Sequence, residues 1–327
     1  MPARNQPDGC FTEGGTMDEE SIKALWDSYA AEDKNDFFPI YHYLKHIQRL
    51  MYYAMLQSGQ TPMEPKEKPN EDVDQMIKHH VLRIAENSIS FDTSIYHSKV
   101  VTLQDAVKLI NHKEDLRISP PETVMPFKVA RDVILKANET VAVGSCPCRE
   151  NVEKPCIPPT QQVCMFVGDP FASFIAAQNP KYRKVSLDEA VNVLEFSHKK
   201  GFVHCAYFKK ETGNRFGMIC NCCSCCCLGV KMWNMLAGTV PIIAPSGYVA
   251  EVNDDCNACG ACADKTCNFF AISIDEKKQK AVIDLTKCMG CGVCVDVCPV
   301  KAIQLKRDPS KGAPLDLDEL KKPGVAA

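Results

Sequence analysis

The distribution of cysteine constrains this chain more than any other feature of its sequence. The chain has 327 residues and 20 cysteines, and all of these except Cys10 lie between Cys146 and Cys298. Many are adjacent or nearly so, and adjacent cysteines rarely pair because a disulfide holds its Cβ atoms about 3.8 Å apart in a defined orientation. The opening residues MPARNQPDGCFTEGG lack the apolar segment of a signal peptide. We therefore expect a cytoplasmic protein whose clustered thiols bind metal.

Charge and hydropathy argue against two classes of partner. Lys and Arg total 38 against 41 Asp and Glu, a net charge of −3, so the chain is not a polycation that coats nucleic acid. No segment approaches the ~18 uninterrupted apolar residues of a membrane-spanning helix. The length predicts two or three domains. We expect neither nucleic-acid binding nor a membrane span.

Residues 1–145 contain one cysteine and a pattern typical of helices. Helices are predicted at 17–58, 71–87, 103–111 and 127–137, a proline-rich linker at 61–70 and a short strand at 140–143. His79 and His80 are interpreted as a solvated surface pair rather than metal ligands. Because no catalytic pattern stands out, this region is expected to pack against or dock other parts.

The clearest unit of the sequence is a repeat near its C-terminus. A C-x-x-C-x-x-C element followed by a fourth cysteine occurs twice, and each copy leads into an alternating segment. The first copy contains Cys256, Cys259, Cys262 and Cys267, and the second contains Cys288, Cys291, Cys294 and Cys298. The copies are offset by 32 residues at the first three cysteines and by 31 at the fourth. Three cysteines at intervals of three can direct their sulfurs to three corners of one iron–sulfur cluster.

This duplicated signature resembles that of the bacterial two-cluster ferredoxins. The resemblance implies two 4Fe–4S clusters, in which the fourth cysteine of each copy binds the cluster of the other. One cluster would take Cys256, Cys259, Cys262 and Cys298, and the other would take Cys288, Cys291, Cys294 and Cys267. The first copy departs from the pattern, because four residues precede Cys267 and Asn268 stands where a proline is usual. A pair of zinc sites is the alternative, since C-x-x-C pairs also suit zinc.

A second concentration of cysteine occupies residues 146–227. Ten of its members are candidate metal ligands: Cys146, Cys148, Cys156, Cys164, Cys220, Cys222, Cys223, Cys225, Cys226 and Cys227. If the downstream run is helical, Cys222 shares a face with Cys225 and Cys226, whereas Cys223 lies about a quarter turn away. Two faces could serve two clusters, completed by the upstream cysteines. We expect one or two additional 4Fe–4S centres here.

The upstream C-x-C-R element and the downstream C-x-C-C-x-C-C run together resemble the cysteine-rich region of ferredoxin-fusion proteins in strict anaerobes. That resemblance implies a metal site but no particular reaction. A structural zinc site and free core cysteines are the alternatives. Arg149 and Arg215 are candidates to offset the negative charge of the clusters. Cys205, on an apolar strand, and Cys10 are assigned no metal.

The patterns together predict an α+β protein. A helix is expected at 187–200, with Ser186 as its N-cap and Gly201 past its end, followed by a strand at 202–208. The expected parts are a helical docking region at 1–145, a cysteine-rich α/β domain at 146–245, a ferredoxin-like (βαβ)2 two-cluster domain at 246–308 and a tail at 309–327. The sequence has no G-x-G-x-x-G or P-loop motif, so no nucleotide site is indicated.

The leading functional hypothesis is an iron–sulfur electron-transfer protein that passes electrons to or from a partner oxidoreductase. The first alternative is an iron–sulfur reductase with a catalytic or thiol-reactive centre at residues 220–227, because six cysteines in eight residues exceed what electron transfer needs. The second alternative is a redox-sensing regulator. The near-neutral charge and the lack of a basic recognition helix argue against DNA binding.

Overall fold

The computed structural model shows a protein of mixed helix and sheet, as the α+β prediction expects. It describes residues 19–27, 41–42, 44–89, 96–112, 116–118, 133–135, 140–209, 215–236, 238, 242–263 and 266–321. Across these ranges, no helix has the length and apolar character needed to cross a membrane.

The elements of the described chain follow in sequence order. They are α1 (Glu19–Asp27), α2 (Ile47–Gln57), α3 (Glu71–Ile89), β1 (Tyr96–Val101), α4 (Leu103–Ile110), β2 (Leu116–Ile118), β3 (Val133–Leu135), β4 (Val141–Gly144), α5 (Pro147–Glu150), β5 (Cys164–Val167), α6 (Phe171–Gln178), β6 (Tyr182–Val185), α7 (Leu187–Lys199), β7 (Val203–Lys209), β8 (Arg215–Cys222), α8 (Leu228–Met235), β9 (Ile243–Ala244), β10 (Tyr248–Val252), β11 (Ile272–Asp275), β12 (Lys280–Ile283), α9 (Val293–Val297), β13 (Ile303–Arg307), a 3-10 turn (Pro309–Lys311) and α10 (Leu317–Leu320).

The N-terminal helices are joined by a buried ion pair. Arg49 of α2 donates to both carboxylate oxygens of Asp74 in α3, at 2.6 and 2.8 Å. The segment between these helices, predicted as a linker, contains no helix or strand at residues 61–70. The helix expected at 71–87 is confirmed. The one expected at 17–58 is confirmed for α1 and α2, while residues 28–40 lie outside the described ranges.

A seven-stranded sheet occupies the centre of the molecule, in the order β6-β4-β5-β8-β7-β1-β9. Neighbouring strands are antiparallel except for β1 and β9, which are parallel. Side chains at directly paired positions point to the same face of a sheet. The register therefore places Cys164, Cys220 and Cys205 in one row across β5, β8 and β7.

The sheet contains strands from both sides of residue 145, where the sequence predicts a domain boundary. β1 pairs with β7 along six positions, and β4 lies between β5 and β6. Their apolar residues, such as Val100 and Val141, are fully buried. The helix expected at 127–137 is also wrong at 133–135, because β3 pairs there with β2. The other residues of that segment lie outside the described ranges.

Helices cover both faces of the sheet. α4, α7 and α10 pack on one face, whereas α1, α2 and α6 pack on the face that carries the row of cysteines. α7 begins as expected, because the Ser186 hydroxyl accepts a hydrogen bond from the backbone N–H of Glu189. It ends just before Gly201, whose φ of 79° reverses the chain. The helix at 103–111 and the strand at 140–143 are likewise confirmed.

The C-terminal unit consists of two antiparallel pairs, β10 with β13 and β11 with β12. Helix α9 lies within the second cysteine motif and contains Cys294, whereas the described residues at the equivalent place of the first copy form turns. The expected (βαβ)2 pattern is therefore regular only in the second copy, within the described residues. The described part of the tail packs against the sheet domain: Leu317 and Leu320 are buried, and Asp316 accepts a hydrogen bond from Lys108 of α4 at 3.0 Å.

Candidate metal centres

Two cavities in the C-terminal unit are each lined by four cysteines. Cys256, Cys259, Cys262 and Cys298 line the first, which has a volume of about 270 Å³. Cys267, Cys288, Cys291 and Cys294 line the second, which has a volume of about 380 Å³. The structure thus brings together the two crossed sets expected from the sequence, with the fourth cysteine of each copy beside the other three of its partner copy.

The repeat extends to the backbone of both motifs. Ala258 and Gly290, at equivalent positions of the two loops, have positive φ angles of 56° and 64°. Phe270 and Lys301, which follow the fourth cysteines, have φ angles of 51° and 55°. Gly290 has no room for a side chain, since a Cβ there would lie 2.2 Å from the carbonyl oxygen of Tyr248. The two motifs therefore share positive φ angles at equivalent positions.

Backbone N–H groups donate to cysteine sulfurs around both cavities. The donor and acceptor pairs are Ala271 to Cys267 at 3.3 Å, Ala302 to Cys298 at 3.2 Å, Ala281 to Cys256 at 3.4 Å and Ala250 to Cys288 at 3.4 Å. Hydrogen bonds to sulfur stabilise the thiolate and tune the potential of an iron–sulfur cluster. These donors could not be predicted from the cysteine motifs, because none of them lies within a motif.

The two cavities differ in their exposure to solvent. Cys259 of the first cavity is exposed, whereas every cysteine of the second is buried or half-buried. Burial raises the pKa of the Cys291 thiol to about 12. This thiol stays protonated at neutral pH unless a bound cation stabilises its thiolate. Metal binding at the second set therefore requires that the bound cation stabilise the Cys291 thiolate.

The comparisons with known proteins bear on this unit. Residues 281–304 match the 4Fe–4S binding domain family. This 4Fe–4S segment contains all four cysteines of the second motif.

Two longer proteins share a further similarity with the chain. Both are called archaeal-type glutamate synthase [NADPH], one from Thermotoga maritima and one from Thermotoga sp. strain RQ2, and each is 34% identical over 65 residues. The match covers 20% of the chain and 13% of each relative, so the chain spans only a small part of their length. No solved structure matches the chain.

In the middle region, the cysteine run at 220–227 is not a helix. β8 continues to Cys222, an irregular turn follows at 223–227, and α8 begins at Leu228. The strand persists because it pairs with β5 on one side and with β7 on the other. The prediction that these cysteines share the faces of a helix is therefore wrong. The turn separates the cysteines of the run into two groups.

The first group lines a third cavity of about 500 Å³. Its cysteines are Cys146, Cys148, Cys164, Cys220, Cys222 and Cys227, and Cys226 of the second group also lines it. All of these are buried or half-buried. Ile47 and Met51 of α2 close one side, so the N-terminal region forms part of the wall. The upstream and downstream cysteines are thus brought together, as the sequence predicted.

The second group is tighter and lies nearer the surface. The Sγ atoms of Cys156 and Cys223 are 3.6 Å apart, those of Cys225 and Cys226 are 3.6 Å apart, and those of Cys226 and Cys156 are 3.8 Å apart. All four sulfurs lie within 4.8 Å of one another. Hydrogen bonds from the neighbouring thiols, that of Cys223 first, lower the pKa of the Cys156 thiol. The thiolate that binds metal is favoured at this position.

Arg149 lies against this second group, as expected for a residue that offsets negative charge. It follows Cys148 on α5, and only 1% of its side chain is exposed. Its guanidinium donates to the carbonyl oxygen of Asn221 and lies over the ring of Phe202, with 4.2 Å between Cζ and the ring centroid. The other candidate, Arg215, begins β8, and its side chain lies outside the described part of the structure.

Asn268, which occupies the usual proline position, joins the C-terminal unit to the middle region. Its Oδ1 accepts a hydrogen bond from the N–H of Ser224 at 2.7 Å, and its Nδ2 donates to the carbonyl oxygen of Gly201 at 2.6 Å. A proline side chain has no group that could make either bond. Asn268, which departs from the ferredoxin pattern, therefore forms a contact between the two cysteine-rich regions.

A polar chain makes a second link between these regions. Nε2 of His198 lies 2.6 Å from the carboxylate of Asp296 in α9, and its Nδ1 lies 3.2 Å from Nε2 of His204. Nδ1 of His204 lies 2.7 Å from Oδ1 of Asn221. Burial, with the neighbouring His198, lowers the pKa of His204 to about 4, so it is neutral at pH 7. This chain of polar groups could not be predicted from the sequence, because its members share no local motif.

The second and third cavities also share one apolar core. Cys267 and Cys291 of the second cavity pack against the core that contains Cys222 and Cys227 of the third. Cys205 lies in the same core and is fully buried, which agrees with its interpretation as a core cysteine. His79, interpreted as a surface residue, is exposed on α3, and the side chain of His80 lies outside the described part.

Proposed function

We propose that this chain is an iron–sulfur electron-transfer protein with three 4Fe–4S clusters. Two would occupy the crossed cysteine sets of the C-terminal unit, and the third would take four of the cysteines around the middle cavity. The observation that carries the proposal is the core shared by Cys267 and Cys291 with Cys222 and Cys227. Clusters separated only by packed side chains are suited to passing single electrons from one to the next.

The differences in exposure suggest an order for the clusters. The set that includes exposed Cys259 would exchange electrons with a partner at the surface. The more buried set that includes Cys291 would come next, and the middle cavity would be the inner end. Burial and N–H···S hydrogen bonds are the means by which the protein would adjust the potential at each position.

The partner would be an oxidoreductase. The support is the 4Fe–4S family match, together with the similarity over 65 residues to proteins whose name describes an NADPH-dependent synthase. Since that match covers a small part of each relative, the synthase reaction is not transferred to this chain.

The test is an anaerobic redox titration of the full chain, followed by EPR. We expect reduction by dithionite to give signals of reduced 4Fe–4S clusters that are broadened by magnetic coupling between neighbours. We also expect a reduced two-cluster ferredoxin to reduce the middle cluster rapidly. Absence of labile sulfide from anaerobically purified protein would overturn the proposal.

A paired variant tests the order of the clusters. Cys294→Ser/Cys298→Ser removes one ligand from each crossed set and leaves the middle cavity intact. Reduction of the remaining cluster by the protein donor should slow at least tenfold, while its reduction by dithionite should not change. An unchanged rate with the protein donor would show that the middle cluster does not receive its electrons through the C-terminal unit.

A further inference from the structure

The tight group of Cys156, Cys223, Cys225 and Cys226 has the dimensions of a site for one ion rather than for a cluster. We infer that these four cysteines bind a single tetrahedral zinc or ferrous ion. The three closest Sγ–Sγ distances are 3.6, 3.6 and 3.8 Å, and no pair exceeds 4.8 Å.

The geometry of thiolate coordination separates the two kinds of centre. Four sulfurs at about 2.3 Å from one ion form a tetrahedron with edges of about 3.8 Å. In a 4Fe–4S cluster each thiolate extends outward from its own iron, so the cysteine sulfurs lie roughly 6 Å apart. The observed spacing matches the first arrangement and is too short for the second.

The eight cysteines of the C-terminal unit provide an internal comparison. Their two sets surround cavities, and neither set has its sulfurs within 4.8 Å of one another. Within the described residues, the group at Cys156 is the one set of His, Cys, Asp or Glu that converges so closely. The C-terminal unit therefore spaces the cysteines of its two sets more widely than this site does.

The chain segments that supply the ligands point to a structural ion. Three ligands come from the turn at 223–227 that ends β8, and Cys156 comes from the loop after α5. Two of the three are the adjacent residues Cys225 and Cys226, whose Sγ atoms lie 3.6 Å apart. A bound ion would fix the loop to the turn. Four protein thiolates complete the tetrahedron, which is typical of structural sites.

Charge is consistent with this occupant. Four thiolates around a divalent ion carry a net charge of −2, and Arg149 supplies one buried positive charge against two of the sulfurs. The assignment also divides the middle cysteines. Four belong to the ion, which leaves six around the cavity and therefore enough for one 4Fe–4S cluster.

The stoichiometry of one double variant tests the inference. Cys156→Ser/Cys225→Ser replaces the two exposed ligands, so no buried void results. We expect the purified full chain to lose one zinc or one iron per molecule and to keep all of its labile sulfide. Cys259→Ser is the reference for cluster loss and should remove about four irons and four sulfides. Cys10→Ser is the control for cysteine replacement and should lose neither.

Loss of about four irons and four sulfides from the double variant would overturn the inference, and so would retention of all its metal. If the variant is insoluble, spectroscopy of the wild-type protein tests the inference instead. X-ray absorption at the zinc edge should show four sulfur ligands at about 2.3 Å, or Mössbauer spectra should show one mononuclear iron per chain. Absence of both signals would overturn the inference. The result does not depend on the proposed electron transfer, because sulfide-containing clusters are counted separately.

Discussion

Nη2 of Arg149 donates a hydrogen bond to the sulfur of Cys223 at 3.3 Å, and Nε of the same side chain lies 3.5 Å from the sulfur of Cys156. One buried guanidinium therefore contacts two thiols that the chain brings together from segments 67 residues apart. Arginine remains charged at any pH relevant to proteins, so this contact stabilises the thiolate forms at both sulfurs.

The first prediction concerns the loss of this cation. Arg149→Met leaves the thiolates and the Asn221 carbonyl without their donor, and removing one member of a buried charged pair costs about 3–5 kcal/mol. We expect the unfolding temperature to fall by at least ~6 °C, since each kcal/mol corresponds to about 2–4 °C in a domain of this size. Arg149→Lys keeps the positive charge but not the planar guanidinium group, so its unfolding temperature should fall by less than that of Arg149→Met. Equal unfolding temperatures for wild type and Arg149→Met, measured by circular dichroism, would contradict the argument.

The second prediction tests the crossed ligand sets of the C-terminal unit with two double variants. Cys256→Ser/Cys298→Ser removes two ligands from one cluster in the crossed arrangement, so about four irons should be lost. Cys294→Ser/Cys298→Ser removes one ligand from each cluster, so about eight irons should be lost. If each copy bound its own cluster instead, the two outcomes would be exchanged. Iron and sulfide analysis with EPR distinguishes the two arrangements directly.

The features that the sequence predicted well are those encoded by local spacing. The cysteine motifs, the caps of α7 and the proline-rich linker each depend on residues close together in the chain. The offset of 32 and then 31 residues between the motifs reappears in the paired φ angles of Ala258 with Gly290 and Phe270 with Lys301. A repeat in sequence thus becomes a repeat in backbone geometry, because the same spacing imposes the same loop.

The features that could not be predicted from the sequence depend on contacts between distant segments. β1 enters the sheet by pairing with β7, more than 100 residues later. The cysteines at 220–227 would share faces if the run were helical, yet its first part is held as a strand by neighbours on both sides. Asn268 is visible in the sequence as a departure from the ferredoxin pattern, but its contacts with Gly201 and Ser224 are not. Tertiary pairing overrides local propensity in each case.

The third prediction concerns the wall that α2 forms over the middle cavity. Met51 lines this cavity and is 7% exposed, whereas Leu56 lies on the opposite side of the same helix and is 41% exposed. Met51→Ala opens a void at the cavity and should admit water and oxygen, because the apolar shell around a cluster controls solvent access. We expect the middle centre to lose iron to a chelator in air at least threefold faster than in wild type.

Leu56→Ala is the matched control on α2, and its rate should equal that of wild type. The clusters of the C-terminal unit are an internal reference in the same sample, because α2 lines neither of their cavities. Equal rates for Met51→Ala and Leu56→Ala would show that α2 does not protect the centre.

The fourth prediction concerns Lys99 of β1, whose Nζ donates a hydrogen bond to the carbonyl oxygen of Pro245 at 2.8 Å. Burial lowers the pKa of Lys99 from 10.5 to about 7, with a smaller opposing contribution from Asp105. Between these pH values the unfolded chain binds a proton that the folded chain does not. Deprotonation of Lys99 on folding therefore costs the folded chain no stability above pH 10.5. Below that pH the unfolded chain gains a proton that the folded chain lacks, so stability falls as the pH falls toward 7.

Lys99→Met should remove this dependence. As the pH rises from 7.5 to 9.5, the unfolding free energy of wild type should increase relative to that of Lys99→Met by up to about 1.4 kcal/mol per pH unit. Lys108→Met is the control, because ion pairs with Asp318 and Asp316 raise the pKa of Lys108 above its ordinary value. Both its folded and its unfolded pKa lie above this range, so its difference from wild type should be constant. Parallel curves for wild type and Lys99→Met, measured by thermal unfolding at each pH, would show that Lys99 keeps its proton in the folded chain.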